Sequence, residues 1–100
     1  MKKSNYIAGQ WVEGTSSIKN INPSDTSETI DEYTSCTDEQ FEQAIQSAAT
    51  AQREWEKVGI EKKSQILIKI GDELIQKSKK IGELLSREEG KPLNEGIGEV

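Results

Sequence analysis

The sequence predicts a mixed α/β chain with a short β region at its start, followed by two to three amphipathic helices. Two β-prone pairs flank a small turn around Gly9, a pattern typical of a hairpin. Farther along, apolar residues recur at intervals of three and four, which is the period of a helix. These patterns divide the chain into a β-hairpin and loop region, residues 1–35, and a helical region, residues 36–100.

The hairpin is predicted from Tyr6-Ile7 and Trp11-Val12, which flank Ala8-Gly9-Gln10. Primed two-residue turns favour Asn, Asp or Gly, so Ala8 leaves the turn type open. A second turn is expected at residues 14–17, and alternation over residues 18–22 indicates a strand that ends at Pro23. A loop over 22–27 and one more short strand within 28–35 complete the β region.

The first helix is predicted to start at Thr37, because Thr37 and Gln40 fit a capping box. Its apolar stripe has small residues that allow close packing, and Gly59 is expected to end the helix. The stripe consists of Phe41, Ala44, Ile45, Ala48, Ala51 and Trp55.

A second helical stretch follows, with a break expected near Lys77-Ser78. Gly90 is the expected residue after its last turn, and Pro92 can start another helix. The stripe consists of Leu67, Ile70, Leu74, Ser78, Ile81 and Leu85, and is widened by Ile66, Ile68 and Ile75.

Composition excludes several classes of function. The net charge of −5 argues against nucleic acid, because phosphate binding needs a clustered basic face. The lysine pairs at 62–63 and 79–80 are interpreted as solvated faces. No apolar run is long enough to span a membrane. The positively charged start is not followed by an apolar segment of signal-peptide length, and a cytoplasmic location is expected.

Few residues could carry chemistry. Cys36 is the only cysteine and the chain has no histidine, so a thiol would have no imidazole partner. We interpret Cys36 as a small, semi-buried residue before the first helix. Glu88 and Glu89 diverge on a helix end and would not share a site. The glycines match no phosphate-binding pattern.

The order of motifs resembles the amino-terminal part of NAD(P)-dependent aldehyde dehydrogenases. Residues 6–12, YIAGQWV, are similar to the family's opening "YINGEWV" hairpin, and Asn22-Pro23 is similar to the "NP" loop after it. Residues 37–55 resemble the first helix, and residues 66–85 resemble the second. Residues 89–100 resemble the "E.GKPl.Ea..Ev" segment. Ala8 and Gly96 depart from the usual pattern.

The resemblance implies that the segment forms the outer part of a Rossmann-like cofactor domain. The full enzyme would bind NAD or NADP, oxidise a small aldehyde through a Cys thiolate, and assemble as a homo-oligomer. The residues for catalysis and cofactor binding would all lie beyond Val100, so we expect none in this chain. Its partner would be the rest of the enzyme, covering Phe41, Ile45, Leu67, Ile70 and Leu74.

Two finer expectations also rest on the resemblance. Some members hold a structural monovalent cation, and the matching positions here would be the carbonyl of Ile21 and the side chain of Glu99, with a further ligand from outside the segment. The loop after Asn22 and the acidic ending are similar to members acting on semialdehydes of keto-acids, such as α-ketoglutarate semialdehyde.

The alternative is a stand-alone module that binds another subunit through its apolar helix faces. Solution behaviour separates the two interpretations, since an orphaned segment exposes apolar stripes. We expect residues 1–100 alone to be molten or to aggregate. Circular dichroism during heating should then show no cooperative transition. A cooperative thermal transition would favour the stand-alone module.

Overall fold

The computed structural model describes residues 2–100, with side chains from residue 4 onwards. A β-rich first third is followed by helices. The strands are β1 Lys2–Lys3, β2 Asn5–Ile7, β3 Gln10–Val12, β4 Ser16–Ile21 and β5 Thr29–Ser35. The helices are α1 Asp38–Lys57, α2 Ile60–Gln76, α3 Ser78–Glu89 and α4 Leu93–Glu99.

The predicted hairpin is confirmed. Strands β2 and β3 pair antiparallel, with Tyr6 opposite Trp11, and the two aromatic rings lie 4.9 Å apart. The turn residues Ala8 and Gly9 have φ values of 50° and 82°. Positive φ at both central residues is what a type I′ turn requires, so Ala8 adopts a backbone conformation that favours Gly or Asn.

Three strands form a separate sheet in the order β1-β5-β4, and β1 runs parallel to β5. Strands were expected in residues 18–22 and 28–35, and both are present. The turn expected over residues 14–17 is wrong in its second half, because Ser16 and Ser17 already belong to β4. The Thr15 N–H donates to the Ser35 carbonyl at 3.3 Å, so backbone bonding to the end of β5 extends the ordered strand.

Helix α1 begins at the predicted capping box. The Gln40 N–H donates to Thr37 Oγ1 at 3.1 Å, and the Thr37 N–H donates to Gln40 Oε1 at 3.0 Å. The helix stops at Lys57, where Val58 turns to extended angles. Gly59 was expected to end α1, but it is the residue that precedes α2.

The expected break in the second helical stretch occurs at Lys77, whose φ of −101° and ψ of 5° separate α2 from α3. Gly90 ends α3 in the left-handed conformation, as predicted, and α4 follows Pro92. The described residues therefore form four helices, one more than the upper estimate. The extra helix is counted because residues 93–99 complete nearly two turns.

The chain divides into two compact units: residues 1–20 with 31–58, and residues 21–30 with 59–100. In the first unit, β2 lies against α1, and a groove between them is lined by Ile7, Ala44 and Ala48. Ile7 is 6% exposed and is the buried hydrophobic residue of the part described with side chains. The small alanines of the α1 stripe leave room for this strand.

In the second unit, α3 and α4 cross closely at two glycines. A Cβ on Gly82 would lie 2.5 Å from the Ile97 Cα, and a Cβ on Gly96 would lie 2.5 Å from the Gly82 carbonyl oxygen. Real Cβ atoms are not found that close to backbone. Gly96 departs from the usual family pattern, and the close crossing supplies a physical reason for a glycine at this position.

Much of the apolar surface stays uncovered. The five residues expected to need a partner, Phe41, Ile45, Leu67, Ile70 and Leu74, are between 44% and 63% exposed. Amphipathic helices gain most of their stability by covering such faces. Within residues 2–100, no helix combines the length and apolar character needed to cross a membrane.

We expect Gly82→Ala and Gly96→Ala each to destabilise the α3–α4 pair by about 1–3 kcal/mol, because the added methyl must push two backbones apart. Amide hydrogen exchange of the two helices measures the effect. Gly98→Ala is the matched control in α4, since its Cβ would meet nothing within 4 Å, and it should slow exchange slightly. Equal behaviour of all three variants would contradict the close crossing.

Candidate functional site

A polar cluster of the second unit lies in the loop between β4 and β5, where hydrogen bonds join Asn22, Ser24 and Glu28. Asn22 is 9% exposed; its Oδ1 accepts from the Ser24 N–H at 2.9 Å, and its Nδ2 donates to Glu28 Oε2 at 2.8 Å. The Asn22 N–H also donates to the Glu28 carbonyl at 3.1 Å. One buried amide thus holds both ends of the loop, as Asn side chains do in turns.

This loop is fastened to the end of α3. Ser24 Oγ donates to the Gly90 carbonyl at 2.7 Å, and Arg87 Nε donates to Glu28 Oε1 at 2.9 Å. A Cβ on Gly90 would lie 2.5 Å from Ser24 Oγ and 2.9 Å from Pro23 Cγ. Gly90 therefore serves both the left-handed helix end and the close approach of the loop.

A second charged group joins the end of α4 to the end of α3. The Lys91 ammonium contacts Glu89 and donates to Glu99 Oε1 at 2.6 Å, while Ser86 Oγ donates to the Lys91 carbonyl. Its hydrogen bond to Glu89, and to a lesser extent that to Glu99, raises the pKa of Lys91 above its usual range. Two carboxylates share one ammonium here, so the group carries a net charge of −1.

The pKa of Glu28 lies below its ordinary value of 4.5, chiefly because Arg87 donates to its carboxylate and secondarily because Asn22 does. Both partners stabilise the charged form. The Glu28 side chain is one-third exposed and that of Arg87 nearly half exposed, so solvent weakens the pair. The bond geometry positions the loop more than it adds stability.

The two cation-site candidates lie in this same unit. Ile21 is the last residue of β4, and the Glu99 carboxylate accepts from the Lys91 ammonium. A monovalent cation at Glu99 would share that carboxylate with Lys91. Residues 2–100 contain no cluster of three or more His, Cys, Asp or Glu side chains arranged to hold a metal. The cation role of Ile21 and Glu99 stays a prediction.

The other candidate residues from the sequence do not come together to form a site. Cys36 is exposed rather than semi-buried, because it lies in the link between β5 and the cap of α1. Glu89 contacts Lys91 instead of sharing a site with Glu88. These positions provide no nucleophile beside a general base, so what the polar cluster can do is hold polypeptide in place.

Part of this cluster is predictable from the sequence. Asn22-Pro23 and Gly90 were noticed as a loop and a helix end, but not as contacts of each other. The bond between Glu28 and Arg87 joins residues 59 positions apart, and no local periodicity signals such a pair. Glu99 was singled out as a cation ligand, and its ammonium partner Lys91 was missed.

Comparison with known proteins gives this scaffold its context. A model of the "Aldehyde dehydrogenase family" matches residues 11–100. The chain belongs to the aldehyde dehydrogenase family. The resemblance predicted from five ordered motifs is thereby confirmed, and the match includes the helix-end cluster just described.

Curated relatives of the aldehyde dehydrogenase family agree with this assignment. "Aldehyde dehydrogenase family 7 member A1" of Pisum sativum is 36% identical over 95 residues, which are 95% of this chain and 18% of the relative. "Malonate-semialdehyde dehydrogenase 2" of Bacillus cereus is 36% identical over 98 residues, covering 96% of this chain and 20% of the relative. The chain spans about a fifth of the length of these relatives.

Solved structures confirm the fold of an amino-terminal aldehyde dehydrogenase segment. Betaine aldehyde dehydrogenase from Staphylococcus aureus, a point mutant solved with NAD+, superposes with a TM-score of 0.87 at 27% identity, covering 96% of this chain and 20% of that chain. A 3,6-anhydro-L-galactose dehydrogenase gives a TM-score of 0.91 at 24% identity, covering 99% and 21%, and supports the fold alone.

We expect the attachment of the loop to α3 to weaken in acid. The folded pKa of Glu28 lies below 4.5, so its stabilising contribution is complete above that pH and is lost as the pH falls through the folded value. Hydrogen exchange of the loop and the end of α3, followed from neutral pH downwards, measures this loss.

Glu28→Gln should remove much of that acid dependence and loosen the loop already at neutral pH. Glu83→Gln, on the exposed side of α3, is the matched control and should keep the acid dependence of the unmodified chain. If Glu28→Gln and the unmodified chain lost protection in parallel, another carboxylate would be responsible.

Proposed function

We propose that residues 1–100 are the amino-terminal segment of an enzyme that oxidises an aldehyde to a carboxylic acid with NAD+ or NADP+. The observation that carries this proposal is the family match over residues 11–100. The relatives are about five times longer than this chain. The chain supplies one part of the enzyme's scaffold, and the reaction belongs to the assembled whole.

The segment's own role in this proposal is structural. The uncovered apolar residues of α1 and α2, such as Phe41 and Ile70, are half exposed, and burial against further polypeptide would stabilise them. The chain has one cysteine and no histidine. The family resemblance, rather than this composition, assigns the nucleophile, the general base and the cofactor contacts to residues outside this segment.

The substrate we propose is a small semialdehyde. Support comes from the malonate-semialdehyde dehydrogenases among the relatives, including the Bacillus cereus protein at 36% identity. The α-ketoglutarate semialdehyde suggested by the loop and the acidic ending stays a prediction. The NAD+ in the Staphylococcus aureus structure supports a nicotinamide cofactor of the same class. Homo-oligomeric assembly and a cytoplasmic location complete the proposal.

The experiment compares residues 1–100 alone with the product of the complete coding sequence that contains them. NADH or NADPH formation is followed spectroscopically with malonate semialdehyde and with betaine aldehyde as substrates. We expect no reduction by residues 1–100, because they lack a thiol–base pair. We expect reduction by the complete product, faster with the semialdehyde.

A version of the complete product that lacks residues 1–100 serves as the control and should be inactive or insoluble. Turnover by residues 1–100 alone would overturn the structural role. A complete product that folds yet reduces neither cofactor with any aldehyde tested would overturn the proposed reaction and favour the interaction module.

A further inference from the structure

We draw no further inference here: the strongest candidate, the acid-rimmed groove that Ala8 and Gly9 of the hairpin turn form with Glu39 and Glu42 of α1, carries none, because nothing in the structure shows what covers it.

Discussion

The structure depends on one constraint: an amphipathic helix is stable only when its apolar face is covered. In this chain α1 is partly covered by a hairpin strand through Ile7, and α3 is covered by α4 through paired glycines. Helix α2 has no comparable cover. The contrast between partly covered α1, closely packed α3 and uncovered α2 explains why an ordered local structure can still require a larger protein around it.

Polar contacts complete the covered parts but do not replace apolar packing. The loop from Asn22 to Glu28 is held by hydrogen bonds to Gly90 and Arg87, and Lys91 joins the ends of α3 and α4. These groups are mostly half exposed, where ion pairs contribute little net stability. Their value is geometric, because they fix where the second unit's strand connection meets the helix end.

The sequence predicted the elements well because their signals are local. The capping box at Thr37 and the left-handed Gly90 each depend on a few neighbouring residues. The family followed from the order of such motifs. The sequence could not predict the Gly82–Gly96 crossing or the Glu28–Arg87 bond, because each joins residues far apart in the chain. The separate role of Gly59 was missed because one glycine can either end a helix or precede one.

The interruption at Lys77 has a consequence for how the two neighbouring helices are used. Its backbone N–H donates to the carbonyls of Glu73 and Leu74, so this N–H remains hydrogen-bonded where the helix is interrupted. The φ of −101° and ψ of 5° at Lys77 differ from helical angles, so the side chains after it are rotated from the positions that an unbroken helix would give them. Selection can therefore adjust the outward-facing residues of Ile60–Gln76 without rotating those of Ser78–Glu89, and each helix can meet a different neighbour.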